Sequence, residues 1–423
     1  MSHCERRVLP NGLRVVSVPA HDTQALTVLV LFEVGSRYET EKLAGASHFI
    51  EHMMFKGTKR RPSTTQISRE LDAVGADYNA FTAKDFTGYY IHLDGAHGSM
   101  AVDMLHDVLC HSTFKAEECE RERKVIAEEI NMYEDNPIMH AEELLEEVLY
   151  QGSPLGRVIS GTHETMNGID RETLVKYYAA HYVPSRTVVA VAGRIEPGVM
   201  EAVTDLFGSI PAAKAPKAYE RARVRTGRPA LKIKYKETEQ VLAMIGFPGY
   251  PYGHKKLPAL SVLLTALGGG MSSRLFTQVR ERRGLAYSVS ADASRFQDTG
   301  NVAIFAGLTK AKIEDGLKVI MNELTKVAKS GLTAKELRRS KDYIKGKTVL
   351  HLETSSALAQ YYAMQELMTG RFVTPEEKMT QIEAVTLADV QAVAAELFQT
   401  KKLSASIIGP YKDPKQFLPL LKV

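Results

Sequence analysis

Internal repetition restricts the fold of this 423-residue chain more than any other feature, because the second half repeats the order of elements in the first. In the first half, alternation over 13–18 after the Pro10-Asn11-Gly12 turn and an apolar run over 26–34 predict two strands. A helix around His48 follows, then a second over 63–74, with Ser63 as N-cap and Gly75 as its stop. Next come a hairpin (77–82 and 87–93), helices over 98–110 and 115–133, a strand over 186–192 and a helix over 197–207. The second half answers with strands at 231–235 and 241–247 and a helix over 257–267 ending in Gly268-Gly269-Gly270. A helix over 272–283, a hairpin (285–293 and 300–307) and helices over 312–329 and 334–350 complete the series. Local wording also recurs: Phe114-Lys115-Ala116-Glu117-Glu118-Cys119 is matched by Leu332-Thr333-Ala334-Lys335-Glu336-Leu337. The expected fold is therefore α+β, two copies of one α/β-sandwich-like unit of about 200 residues each. The Pro-, Ala-, Lys- and Arg-rich stretch 211–229 is the expected linker, giving domains 1–210 and 230–423.

One segment of the first copy carries chemistry. In Gly45-Ala46-Ser47-His48-Phe49-Ile50-Glu51-His52, a helix puts the two imidazoles one turn apart on one face, the spacing that one metal ion needs. Glu51 lies about 80° to one side of their mean direction, where the Glu of the commoner H-E-x-x-H zinc motif lies about 80° to the other. H-x-x-E-H is thus that trio with the chain reversed: two ligands and a general base. With 13 His and 50 acidic residues in the chain, chance supplies under about 0.05 such matches. The opposing reading makes these His core residues of an apolar helix flanked by Phe49, Ile50, Met53 and Met54.

The repeat decides between them. The corresponding helix of the second copy reads Pro258-Ala259-Leu260-Ser261-Val262-Leu263-Leu264, without His or acid, and Glu129 falls opposite Lys347. Residues required by the fold would be kept in both copies, whereas residues lost from one carry function in the other.

Composition sets limits on function. A net charge of +4 makes no case for nucleic acid, and no apolar run approaches the roughly 20 residues that span a bilayer. Three cysteines, Cys4, Cys110 and Cys119, without metal-motif spacing fit free thiols in a reducing compartment, and no secretory signal opens the chain, so the expected location is cytoplasmic.

A hydrolytic zinc takes three protein ligands and leaves one position for water. The third ligand should come from a neighbouring helix, where Glu122 and Glu129 share a face. Glu128 and the acidic segment Glu142, Glu143, Glu146 and Glu147 are rivals. That segment also suggests a preference for basic peptides.

With His48-x-x-Glu51-His52 followed 77 residues later by Glu129, in the context Glu122-Arg123-Lys124-Val125-Ile126-Ala127-Glu128-Glu129, the chain resembles the pitrilysin and insulysin family of inverted-motif zinc peptidases. It is most similar to the short-chain branch with the mitochondrial processing peptidase β subunit and its bacterial relatives. The resemblance implies one Zn2+ per chain on His48, His52 and Glu129, with Glu51 activating water and Glu122 supporting the ligands from behind. In the second half, Gly268-Gly269-Gly270-Met271-Ser272-Ser273-Arg274 and Arg280-Glu281-Arg282-Arg283-Gly284-Leu285-Ala286-Tyr287 are similar to the family's glycine-rich loop and its Arg and Tyr pair. By resemblance, Arg280 and Tyr287 donate to the oxyanion formed during peptide hydrolysis.

The hairpin strand 77–82 carries small and polar residues, as an edge strand does, and would hold an extended peptide through Asn79, Ala80 and Phe81, which the resemblance supports at Asn79 and Ala80. The implied arrangement is a clam shell completed by dimerisation, each zinc half meeting Arg280 and Tyr287 of another copy, with a related heteropartner as the variant. The expected activity is that of a zinc endopeptidase acting on short or unfolded peptides. A non-catalytic scaffold subunit of a larger complex is the rival from another class.

Overall fold

The computed structural model describes residues 4–216 and 219–423; positions 217 and 218, inside the expected linker, lie outside the described residues. The first half of the chain forms β1 (Glu5–Val8), β2 (Arg14–Pro19), β3 (Ala25–Phe32), α1 (Ala46–Met54), α2 (Thr64–Asp72), β4 (Asp77–Thr82) and β5 (Thr87–Asp94). It continues through α3 (Gly98–His111), α4 (Ala116–Asp135), α5 (Pro137–Leu149), α6 (His163–Gly168), α7 (Arg171–His181), β6 (Thr187–Gly193) and α8 (Val199–Gly208). The second half forms β7 (Ala230–Tyr235), β8 (Gln240–Gly249), α9 (Leu257–Gly268), β9 (Ala286–Arg295) and β10 (Gly300–Thr309). Then come α10 (Ile313–Ser330), α11 (Ala334–His351), α12 (Ser355–Thr369), α13 (Pro375–Glu383), α14 (Leu387–Leu397) and β11 (Ser404–Gly409).

Among the described residues there are two sheets, ordered β1-β2-β6-β3-β5-β4 and β7-β11-β8-β10-β9. Apart from the added β1 the two orders correspond strand for strand. In each, one parallel pair (β2 with β6, β7 with β11) adjoins an antiparallel remainder. The duplication expected from sequence is present in the backbone, and α4 and α11 begin at the equivalent residues Ala116 and Ala334. The fold is α+β with helix-covered sheets.

Two compact units result, and they are not contiguous halves of the chain. Unit 1 comprises Met1–Asn131, Arg157–Glu220 and Leu350–Phe372; unit 2 comprises Met132–Gly156, Arg221–Val349 and Val373–Val423. The expected division at 211–229 therefore differs from the division in space, because α5 and α12 are exchanged. In unit 1, α12 lays Leu358, Ala359, Tyr362, Ala363 and Leu367 against Val16, Val18, Leu29, Leu31, Val188, Ala190 and Ala192 on the outer face of the sheet. The other face of that sheet buries Val28, Val30, Tyr89, Ile91, Val189 and Val191 under α1, α3 and α8, forming the main core of the unit. In unit 2, α5 covers Leu242, Met244 and Ile408 with Ala141, Leu144 and Leu145, and the Ser406 hydroxyl donates to the Ala141 carbonyl at 2.7 Å. With both faces buried, strands such as β6 and β11 read as unbroken apolar or small runs rather than alternating ones.

The helix expected over 272–283 is not a regular one. Phe276–Glu281 is π-helical, an i to i+5 arrangement found mostly as single turns at functional sites, and Arg280 lies within it.

Candidate metal centre

Helix α1 has nine residues, too few to be stable alone, so its placement comes from tertiary contacts. Phe49, Ile50, Met53 and Met54 are fully buried in the core of unit 1, which leaves the His48, Glu51 and His52 side of the helix towards β4 and α4. The N-terminus of α1 is fixed by a residue that no motif announces. The buried Glu39 carboxylate accepts from the backbone N–H groups of Gly45 and Ser47, both at 2.7 Å, and so caps two of the helix's free donors with a negative charge. Burial pushes the Glu39 carboxyl up to about 7 despite those two bonds, which act in the opposite direction. Gly45 takes φ +96°, and a Cβ there would stand 2.4 Å from Met166 Cε and 2.7 Å from the Ser160 carbonyl oxygen, so the chain can enter the helix this way only as glycine.

Helix α4 runs beside α1 with Cys119, Glu122, Ile126 and Ile130 buried, a stripe at helical spacing that turns Glu129 inward one residue before its end. Glu129 Oε2 lies 3.6 Å from His48 Nε2 and 3.3 Å from His52 Nε2, the two rings are edge-to-face at 4.7 Å, and ligand atoms of all three residues lie within 4.8 Å of one another. Two donors each about 2.0 Å from one tetrahedral zinc are separated by roughly 3.3 Å, so the donor set has both the identity and the spacing of a zinc site. Of the rivals, Glu128 is exposed, and Glu143 and Glu147 are engaged by His140 and Lys232 in unit 2. Among the described residues the one group suited to a metal is the trio with Glu129.

The surroundings hold this trio in order. Burial, with the adjacent imidazole, pushes His48 well down, so that its ring is neutral as a ligand must be. For His52 burial acts downward too, but Glu122 at 3.0 Å from Nδ1 and Glu129 on the other side outweigh it and raise the ring above its ordinary value. Burial alone would raise Glu122, yet hydrogen bonds from His52 and from Lys56 Nζ, 2.7 Å away, hold it below the usual carboxylate range. Glu122 thus orients the His52 ring through Nδ1 and leaves Nε2 to face Glu129. Glu51 is raised, chiefly by burial, while the hydrogen bond donated by Thr82 Oγ1 at 2.6 Å opposes the shift. Sequence reading did not single out Lys56, Thr82 or Glu39. Of these only Thr82 carried a signal, as the last residue of the expected edge strand.

β4 is an edge of its sheet, as expected. Its residues alternate: Tyr78, Ala80 and Thr82 face the α1 side, and Asp77, Asn79 and Phe81 face the α12 side. The Ala80 N–H donates to the Asn79 side-chain oxygen at 2.8 Å, so it points to the open edge and not to β5, and by the antiparallel pattern the main-chain groups of Tyr78 and Thr82 do the same. Of the expected substrate residues, Ala80 therefore offers main chain on the metal side. Phe81 lies over Gly88 on the far face, where a Cβ on Gly88 would meet its ring at 2.2 Å.

Arg280 and Tyr287 belong to unit 2, and the trio belongs to unit 1. Tyr287 on β9 is 76% exposed, and the Arg280 guanidinium lies over its ring at 5.1 Å and over the Phe276 ring at 4.9 Å. The two side chains expected to act together do form a pair. No helix of the described residues is long and apolar enough to cross a membrane.

Comparison with known proteins agrees with this geometry. The profile of the insulinase family (peptidase family M16) matches residues 14–163, which hold the trio, and that of the peptidase M16 inactive domain matches 168–344, which do not. A Streptomyces coelicolor protein named as an uncharacterized zinc protease is 39% identical over 96% of this chain and 90% of its own length. A Bacillus subtilis protein named in the same way is 36% identical over 96% of this chain and 98% of its own. The crystal structure of a protease from Helicobacter pylori superposes with a TM-score of 0.88 at 25% identity, covering 97% of this chain and all of that one. A Pseudomonas fluorescens structure described as a peptidase M16 inactive domain shares the fold, with a TM-score of 0.89 at 20% identity over 97% of this chain and 98% of its own. A duplicated sheet order, an inverted His-x-x-Glu-His helix with its glutamate on α4, and relatives matched end to end together make this chain a member of the insulinase family, peptidase family M16.

Proposed function

We propose that the protein is a zinc-dependent endopeptidase that cleaves short or unfolded peptides held as an added strand on β4. The observation that carries the reading is the convergence of His48, His52 and Glu129 beside Glu51, with Glu51 hydrogen-bonded to the last residue of an open edge strand. His48, His52 and Glu129 hold one Zn2+, which when bound polarises the scissile carbonyl and makes a water acidic. The main-chain groups of Tyr78, Ala80 and Thr82 pair with the substrate and keep it extended. Glu51 takes the proton of the attacking water and delivers it to the leaving amine, with Thr82 fixing its carboxylate. Glu122 and Lys56 keep the His52 ring turned correctly. Arg280 and Tyr287 donate to the developing oxyanion, supplied across a homodimer as the family resemblance suggests, or by a processing-peptidase-like partner. The proposed location is the cytoplasm, where Cys4, Cys110 and Cys119, all free, stay reduced.

Metal analysis and hydrolysis of an unstructured peptide by the wild type and by Glu51→Gln test the reading. The expected result is one zinc per chain in both proteins, with turnover about 10²- to 10⁴-fold lower in the variant. Equal turnover removes Glu51 from the chemistry, and a wild type that binds no zinc supports the scaffold reading.

A further inference from the structure

Thr82, which donates to Glu51, is the last residue of β4, and the turn over 83–86 that follows it is fastened to the loop before α1. The Ala83 and Lys84 carbonyls accept from the N–H groups of Ser36 and Arg37 at 3.1 and 3.0 Å. Gly35 permits that approach, since a Cβ there would stand 2.2 Å from the Ala83 carbonyl oxygen. The Arg37 guanidinium then pairs with Asp85 at 2.8 Å, and the two side chains are 0% and 1% exposed. An ion pair so far from water needs further partners, because desolvation otherwise consumes the attraction. The linker supplies them. The Arg37 guanidinium lies 3.7 Å from the centre of the Tyr219 ring, and the Glu220 carbonyl accepts from it at 3.4 Å. Tyr219 also meets the Tyr38 ring edge-on at 5.4 Å, and Arg186 holds the near end of this stretch by donating to the Pro216 carbonyl at 2.8 Å. All of these residues belong to unit 1.

We propose that Tyr219 and Arg37 are positioning residues for hydrolysis: the linker, through the pair of Arg37 with Asp85, holds the turn that aims the Thr82 hydroxyl at Glu51. The inference rests on the peptidase reading above and adds to it a control on the general base from a segment that no metal-binding motif includes. Distance is the first reason. Thr82 Oγ1 stands 2.6 Å from the Glu51 carboxylate, so a shift of the turn by about 1 Å takes the pair out of hydrogen-bonding range. A misplacement of that size costs up to about 10²-fold in rate. Continuity is the second. Each step from Tyr219 to Arg37, Asp85, the turn, Thr82 and Glu51 is a direct contact or a covalent neighbour, and the Arg37 and Asp85 side chains have no solvent to take up a displacement. Redundancy is the third. Lys84 Nζ donates to the Arg157 carbonyl at 2.5 Å, and Thr82 pairs with Thr87 across the hairpin, so the turn stays folded without Tyr219 and loses only its exact placement.

Zinc content, peptide hydrolysis and amide exchange on the full chain test this. Tyr219→Ala should keep its zinc, lower kcat about 10- to 100-fold and leave KM within about threefold, since the loss falls on the chemical step. Tyr219→Phe, which keeps the ring, should stay within about twofold of the wild type. The Ser36, Arg37 and Ala83 amides should exchange faster in Tyr219→Ala and not in Tyr219→Phe. The route is read from a cycle: in a Thr82→Val background, Tyr219→Ala should lower kcat by less than about twofold more, because the bond it protects is already gone. A full Tyr219→Ala effect in that background overturns the route through Thr82. Wild-type kcat in Tyr219→Ala, or an equal loss in Tyr219→Phe, overturns the role of the ring, and all three results leave the peptidase intact. A wild type that binds zinc but hydrolyses nothing removes the peptidase reading instead. The clasp is then judged on exchange alone: faster exchange in Tyr219→Ala keeps it, and unchanged exchange overturns it.

Discussion

The contact between Gly88 and Phe81 can be tested by making it too full and then emptying it. Gly88→Ala puts a methyl group 2.2 Å from Phe81 Cζ, 2.6 Å from Cε2 and 2.8 Å from Leu31 Cδ2, all shorter than any stable carbon contact. Phe81 is half-buried at an open edge, so its ring gives way first, and with it goes the edge-to-face contact to Phe86 at 6.1 Å. Overpacking of this kind costs about 1–3 kcal/mol and the lost ring pair about 0.5–1.5, against about 0.5–1 gained by replacing a strand glycine. The net expectation is a loss of about 0.5–4 kcal/mol. In the Phe81→Ala background the two closest of these contacts are gone and the tip of Leu31 is left, a side-chain end that can turn aside, so the same Gly88→Ala change should be within about 0.5 kcal/mol of neutral. Calorimetry on the four proteins of this cycle should show unit 1 melting roughly 1–16 °C lower for the single Gly88→Ala variant. Little or no further drop should separate Phe81→Ala from the double variant. A Gly88→Ala penalty that is the same in both backgrounds refutes the packing assigned to Phe81.

Glu39 predicts a pH effect on stability. Its folded value near 7 lies above the ordinary 4.5, so the unfolded chain releases the proton first, and stability present at pH 4.5 is lost as pH rises to 7, by about 3 kcal/mol at 1.36 per unit. Glu39→Gln should flatten that part of the melting profile between pH 4.5 and 7; an unchanged slope assigns the dependence to another group. Glu129→Gln should abolish zinc retention through gel filtration, whereas Glu122→Gln should keep zinc but weaken it about 10- to 100-fold in competition with a chromophoric chelator, since it removes only the support of the His52 ring. Equal loss in the two variants contradicts that division. Tyr287→Phe should lower kcat about 10²- to 10³-fold with zinc content unchanged, and full activity in the variant removes the tyrosine from oxyanion stabilisation.

Much of this was legible in the residues because it is local or repeated. The His48 and His52 spacing defines one helix face by itself, and the Ser63 cap and the Gly75 stop bracket α2, where the Ser63 side chain accepts from the Gln66 N–H and Gly75 takes φ +64°. The doubled element order foretold the doubled sheet. What stayed hidden depends on partners distant in the chain. The apolar stripe of α12 says that some face is covered but not which sheet, and the same holds for the acid-rich α5, whose inner side carries Leu144 and Leu145. Glu39 reads as a surface acid until the fold brings Gly45 and Ser47 onto it. The π turn at Arg280 has no composition of its own, and the parity of β4, which separates Ala80 from Phe81, follows from pairing with β5 and not from the order of letters.

The exchange of α5 and α12 bears on how the protein is made. When β6 leaves the ribosome the first sheet has all six of its strands, but the helix that covers Val16, Leu31 and Val188 is encoded roughly 180 residues later, about 9 to 35 s at ordinary rates of synthesis. Throughout that interval the nascent chain exposes a contiguous aliphatic face that no segment already synthesised is built to cover. An isolated first half, however well it keeps its zinc helix, inherits the same bare face permanently. Expressed alone it should bind chaperones or aggregate, and it should become soluble when a segment spanning 350–372 is supplied in trans or fused to its end.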